Sequence, residues 1–180
     1  MRYFLFSLCL FALASMANAQ NFTLRSNELQ GQATARQVFS GFGCEGDNTS
    51  PQLSWSNAPA GTKSFAVTMY DPDAPTGSGW WHWVIYDLPV ETTALESGAG
   101  SKDGELLPKG AIQAASDYGT VGYGGPCPPE GHGFHQYLVT VYALKTETLG
   151  LDATASPAVV GYYLNANALA KASLVFYHQR

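Results

Sequence analysis

Two of the four histidines in this 180-residue chain stand in settings that could do chemistry. His82 lies between Trp81 and Trp83 in an apolar run. His135 is followed two positions later by Tyr137, and residues two apart share a face of a strand. Ahead of that pair runs Gly122-Tyr123-Gly124-Gly125-Pro126-Cys127-Pro128-Pro129, a stretch dense enough in glycine and proline to form a small stiff pocket with backbone donors exposed. Asp71-Pro72-Asp73-Ala74-Pro75 closes a second apolar run, where the prolines stiffen the chain. Two imidazoles, a phenol and loop amides can together hold a small anion at short range. Asp71 would repel that anion, so its expected work is to fix the tautomer and orientation of a nearby histidine. Each feature also has a plain structural reading. A histidine inside a strand is commonly a satisfied core residue, and aspartates in turns bond to backbone amides.

Other patterns fail on their context. Gly41-Phe42-Gly43-Cys44-Glu45-Gly46 spells G-x-G-x-x-G but leads into Asp47-Asn48-Thr49-Ser50-Pro51, a turn. A dinucleotide site needs a helix N-terminus there. No G-x-S-x-G elbow occurs, and Gly77-Ser78-Gly79 reads as a loop. His132-Gly133-Phe134-His135 is a loose metal pair at best: its glycines disfavour a helix and no carboxylate cluster accompanies it. His132 is assigned to an exposed loop.

Strands must position these residues. Ser64–Asp71 alternates, with Phe65, Val67 and Met69 on one face and Ala66, Thr68 and Tyr70 on the other. Trp80–Leu88 and His135–Leu144 have the β-branched and aromatic content that strands prefer. By alternation His82 shares a face with Trp80, Val84 and Tyr86. Shorter strands are expected at Phe22–Arg25, Gln52–Trp55 and Leu174–Tyr177, and a weak helical turn near Thr92–Leu95. One helix is expected near the end. Ser156 caps it, Pro157 suits its first position, Val159, Val160, Tyr163, Leu164 and Ala168 recur at helical spacing, and it runs into Ala170-Lys171-Ala172. The fold class is mainly β, an antiparallel β-sandwich with a peripheral C-terminal helix. The X-Pro bonds of Asp71–Pro75 are candidates for the cis form.

Composition narrows the function. Only 13% of residues are charged, about half of what globular domains carry, while aromatics reach 13%. That balance argues against disorder and against a coiled coil. Nine Lys+Arg against 14 Asp+Glu give a net charge of −5 with no basic cluster, which speaks against nucleic acid as a partner. Residues 1–19 read as a signal peptide: Arg2, an apolar run from Tyr3 to Leu13, and Ala17-Asn18-Ala19 as cleavage site. The run is too short for a membrane anchor. Residues 20–180 then form one domain, periplasmic or secreted. Losing Cys9 with the leader leaves Cys44 and Cys127, expected as a disulfide in an oxidising compartment, with two separate buried thiols as the alternative.

Taken as a set, Asp71-Pro72-Asp73-Ala74-Pro75, Trp81-His82-Trp83, Gly125-Pro126-Cys127-Pro128-Pro129 and His135-Gln136-Tyr137 resemble the phosphatidylethanolamine-binding protein family, in its bacterial Raf kinase inhibitor-like branch. Asn48–Trp55, Asp117-Tyr118-Gly119 and Gly161–Ala172 look like further family segments, so the resemblance runs from about Asn21 to the C-terminus. It implies an antiparallel β-sandwich with a small surface pocket for phosphate, acetate or a phospholipid headgroup. It places that pocket at Asp71, Pro75, Trp80, His82, Pro129, His135 and Tyr137.

The reading is an exported, non-catalytic protein that needs no cofactor or metal. It binds a small anion or phosphorylated headgroup and acts on a protein partner as an inhibitor-like modulator. A hydrolase or phosphoesterase using His82, His135 and Asp71 is the alternative, and an envelope protein with a vestigial pocket is a third. If His82 and His135 face the anion, affinity should be greatest with an imidazole protonated and fade as pH rises through the bound-state value.

Overall fold

A computed structural model describes residues 21–180; the expected signal peptide and Cys9 lie outside the described residues. In chain order the strands are β1 (Thr23–Arg25), β2 (Ser40–Gly41), β3 (Cys44–Glu45), β4 (Leu53–Ser56), β5 (Ser64–Asp71), β6 (Trp80–Pro89), β7 (Ala94–Leu95), β8 (Ile112–Gln113) and β9 (His135–Leu144). Helix α1 (Pro157–Asn167) and strand β10 (Ala168–His178) complete the chain. A five-stranded sheet in the order β10-β9-β5-β6-β8 packs on a three-stranded sheet β1-β4-β7, and every pairing between these strands is antiparallel. The fold is the antiparallel sandwich that the strand pattern predicts.

Apolar residues on both faces of the large sheet decide its layers. Phe65, Val67 and Met69 of β5 join Trp83, Ile85, Val139 and Val141 in the core between the sheets. On the opposite face Ala66, Val84, Tyr86 and Leu144 meet Val160 and Leu164 of α1. The helix therefore covers a second apolar surface, which is why β5 is buried nearly throughout its length. Ser156 caps α1 by accepting from the Val159 amide, and Pro157 opens its first turn.

Three expectations on local structure change. The helix stops at Asn167, and Ala168–Ala172, expected as its continuation, belong to β10. Pairing with β9 from Ala168 opposite Leu144 to His178 opposite His135 outweighs the helix preference of that alanine-rich stretch. Ala94–Leu95 form a strand against β4 where a helical turn was expected. Among the described residues every peptide bond is trans, including those of Asp71–Pro75.

The change that matters most for the site is in β6. Met69 opposes Trp83 and Tyr70 opposes Trp81, which leaves His82 as the extra residue of a bulge. A bulge re-aims side chains and is common beside functional sites. Simple alternation put His82 with Val84 and Tyr86. Instead those two lie beneath the helix, and His82 packs edge-on against Tyr137 of the inter-sheet core.

Candidate functional site

The cavity that β5, β6 and β9 frame at one end of the large sheet has a volume of about 200 Å³, and all seven residues singled out for a pocket line it. Asp71 closes β5, Trp80 opens β6, and His135 opens β9, so three strand ends place their first or last side chains together. Pro75 and Pro129 are exposed and form the rim, whereas His82, His135 and Tyr137 are buried.

The Asp71–Pro75 loop is held by its own side chains. Asp71 Oδ1 accepts from the Asp73 amide at 2.8 Å, and Asp73 Oδ2 accepts from the Gln136 amide at 2.8 Å. Thr76 donates to the Gly79 carbonyl, and Tyr70 donates to that of Ser78. The remaining Asp71 oxygen, Oδ2, accepts from His135 Nδ1 at 2.7 Å. A carboxylate can only accept, so Nδ1 carries the proton and His135 Nε2 faces His132 Nδ1 at 2.7 Å. His132 lies exposed, as expected, yet it is not separate from the site: Asp71, His135 and His132 form one hydrogen-bonded row.

The opposite wall is the Gly122–Pro129 loop. His82 Nδ1 donates to the Gly124 carbonyl at 2.7 Å, and the Gly124 amide donates back to the His82 carbonyl at 2.9 Å. Asn48 ties the loop from behind, taking the Gly125 amide and giving its own amide to the Tyr123 carbonyl. The glycines are needed for closeness. A Cβ on Gly124 would meet the Tyr118 ring at 2.2 Å, and one on Gly125 would sit 1.9 Å from the Gln37 carbonyl oxygen. A disulfide between Cys44 and Cys127 fastens the loop to the β2–β3 hairpin, settling the cysteine alternatives in favour of the bridge. That hairpin carries Phe42 to the cavity mouth.

Among the described residues, three side chains that line this cavity each carry a buried, unpartnered polar atom: Trp80 Nε1, His82 Nε2 and the Tyr137 hydroxyl. Such atoms carry a desolvation cost that a ligand or ordered water removes. Burial lowers the His82 pKa to about 4, with the Gly124 hydrogen bond opposing in part. Burial thus disfavours the cationic form of His82, one of the two imidazoles expected to face the anion. Burial likewise pushes the Tyr137 and Tyr118 hydroxyls well above their ordinary range, so both stay protonated.

Sequence reasoning missed Tyr118 and Phe42 as walls and His132 as the partner of His135. Tyr118 stacks on Phe39 at 4.0 Å and meets His82 edge-on at 5.5 Å. Its Asp117-Tyr118-Gly119 segment is visible in the sequence, but nothing local says which cavity the ring enters. Among the described residues no group of three or more His, Cys, Asp or Glu side chains is placed to hold a metal ion.

Comparison with known proteins supplies a frame for this geometry. A family model described as phosphatidylethanolamine-binding protein matches residues 26–179. The UPF0098 protein YbcL of Escherichia coli is 55% identical over 160 residues, covering 88% of this chain and 87% of that one. YbhB of the same organism is 51% identical, covering 77% of this chain and 87% of its own. The crystal structure of E. coli YbcL, described as a new member of the mammalian PEBP family, superposes with a TM-score of 0.87 at 53% identity. That match covers 88% of this chain and 98% of that one.

Proposed function

Since the chain belongs to the phosphatidylethanolamine-binding protein family, we propose that it is an exported binding protein whose cavity holds a small anion or phosphorylated headgroup and which modulates a protein partner. The observation that carries this reading is that Trp80, His82 and Tyr137, which line one cavity, each carry a buried polar atom with no partner among the described residues. An apolar enclosure with a few convergent polar groups is the ordinary form of a small-ligand site. Export is supported by the leader-like run before Gln20 and by the Cys44–Cys127 disulfide, which persists in oxidising, non-cytoplasmic compartments.

The Asp71–His135–His132 row favours the hydrolase alternative, because a carboxylate-oriented imidazole is how a general base is built. The hydroxyls near it are poor nucleophiles, however. Thr76 is committed to the Gly79 carbonyl and the Tyr137 phenol is held protonated by burial. A hydrolase here would have to use water as its nucleophile, and ester turnover is what separates the two readings.

Thermal-shift titration with phosphate, O-phosphoethanolamine and nucleotides tests it. A phosphoryl compound should raise the Tm, and Trp80→Phe, which deletes one donor, should weaken the response several-fold. No shift with any of them would leave the vestigial-pocket reading, and turnover of an ester lost in His135→Ala would establish the enzyme.

A further inference from the structure

Two imidazole nitrogens converge where the turn before β9 meets the strand. His135 Nε2 and His132 Nδ1 stand 2.7 Å apart, with the ring planes tilted by 58° and not stacked. Nitrogens this close hold one proton between them, whichever ring contributes it. A divalent transition-metal ion can take the place of that proton, because each nitrogen then turns its lone pair to the metal. Along the chain this pair is a loose one, since no carboxylate cluster accompanies it. The fold brings the missing carboxylate from 64 residues away: Asp71 Oδ2 accepts from His135 Nδ1 at 2.7 Å. Metal-ligating histidines almost always donate their second ring nitrogen to such an acceptor, which fixes the tautomer and makes the ligating nitrogen more basic.

We infer that His132 Nδ1 and His135 Nε2 together bind one divalent transition-metal ion of the imidazole-preferring kind, Zn2+ or Cu2+, with Asp71 as the positioning residue behind His135. The described residues supply these two nitrogens and no third side-chain ligand, so water completes the coordination. Protons balance in either starting state. In a neutral pair the His132 proton moves from Nδ1 to Nε2, and in a protonated pair the shared proton leaves to solvent. The surroundings suit a cation: the cavity that His135 lines also holds Asp71, and none of its lining residues is a lysine or arginine. Mg2+ and Ca2+ prefer oxygen ligands and should not compete. The inference stands apart from the anion-binding reading, because its ligand is a cation held by atoms that need no phosphoryl group.

One ligand of the pair is fixed and the other is free to adjust. Zn–N bonds of about 2.0–2.1 Å at a tetrahedral angle set two nitrogens about 3.3 Å apart, so the rings must part by about 0.6 Å. His135 is 1% exposed and held by Asp71, so it stays in place. His132 is exposed and lies between Gly131 at φ +74° and Gly133 at φ +86°. A Cβ on either glycine would meet nothing within 4 Å, so the turn has open space on both sides of His132. A single backbone bond, from the His132 amide to the Pro129 carbonyl at 3.1 Å, ties His132 itself to the turn.

Calorimetry with ZnCl2 and with MgCl2 on the oxidised protein tests this at about pH 7, where an ordinary imidazole is mostly neutral. Zn2+ should bind at one site per chain and Mg2+ should give no binding heat. His132→Ala, a change in an exposed turn, should keep the wild-type Tm and lose the Zn2+ site. Asp71→Asn should weaken Zn2+ by about ten- to a hundredfold with the stoichiometry kept, as expected for the acceptor behind a ligating histidine. A purely structural role for Asp71 would lower the Tm and leave that affinity unchanged. Electron paramagnetic resonance with Cu2+ gives a second readout: two nitrogen donors in the wild type and one in His132→Ala. His178→Ala should change neither measurement. Absence of Zn2+ binding overturns the inference, as does equal binding by His132→Ala or the same nitrogen count in both proteins. Unchanged Zn2+ affinity in Asp71→Asn overturns the part given to Asp71. Each of these failures leaves the anion-binding reading standing.

Discussion

His82 is a buried base kept neutral by desolvation, and that has a stability consequence whose sign can be worked out. Its folded-state pKa of about 4 lies below the ordinary 6.5, so between those values the unfolded chain binds a proton that the folded chain does not. Its contribution is fully present above pH 6.5 and is lost progressively as pH falls toward about 4. The shift corresponds to roughly 3 kcal/mol at 1.36 kcal/mol per unit. Urea denaturation at pH 7 and at pH 4.5 should show a loss approaching that size, and His82→Gln should flatten it. Equal acid sensitivity in the variant would assign the effect to other groups. Asp71→Asn reaches the other imidazole. Asp71 now accepts at both oxygens, from the Asp73 amide and from His135 Nδ1. An asparagine must present its NH2 to one of them, so either a bond is lost or His135 switches tautomer and its bond to His132 has to reverse direction. We expect a loss of about 2 kcal/mol in stability, typical of a charge-assisted hydrogen bond. Phosphate affinity should also fall, although a repulsive charge has been removed. Tighter phosphate binding in Asp71→Asn would mean that Asp71 acts as a charge and not as an orienting group.

At the scale of elements, the site depends on two backbone irregularities. The bulge in β6 turns His82 from the helix-covered face toward Tyr137. The Gly122–Pro129 loop then approaches closely enough for Gly124 to hold the His82 side chain and main chain at once. Gly125→Ala tests the second. The added Cβ would sit 1.9 Å from the Gln37 carbonyl oxygen, a rigid backbone atom, so the loop has to move away. Overpacking of this kind costs about 1–3 kcal/mol. The Tm should drop, and the phosphate-induced shift should weaken further as the His82–Gly124 bond is strained. A Gly125→Ala protein with unchanged Tm and unchanged phosphate response would show that the loop has slack.

For the whole molecule, the Cys44–Cys127 bridge joins segments 83 residues apart, tying the β2–β3 hairpin to the pocket loop. The chain-entropy account assigns about 4 kcal/mol to closing a loop of that length. The double variant Cys44→Ser/Cys127→Ser should lose stability of that order in guanidinium titration, and reductant should lower the wild-type midpoint but leave the variant unchanged. A variant as stable as the wild type under oxidising conditions would show that the core alone holds the loop. The sandwich itself should survive, because both faces of the large sheet are covered by apolar residues that the bridge does not touch.

The amino-acid sequence by itself determined the strand pattern of β5, β6 and β9, the capped helix after Ser156 and the mainly β class, because alternation, β-branched content and turn chemistry act over a few residues. Seven of the residues that line the cavity were legible only through the family resemblance of their motifs, taken as a set. The sequence carried α1 on through Ala168–Ala172, because those residues suit a helix until β9 offers a ladder of hydrogen bonds. It put His82 on the wrong face, because a single-residue bulge shifts the period-two pattern and is set by the register of β5 against β6. It gave no role to Tyr118 and set His132 apart, since each acts through a partner distant along the chain or turned by a loop. The tertiary structure also decided the charge state of the pocket. A histidine's sequence neighbours leave its pKa near the ordinary value, whereas full burial against Gly124, Tyr118 and Tyr137 removes the water that would stabilise its cation.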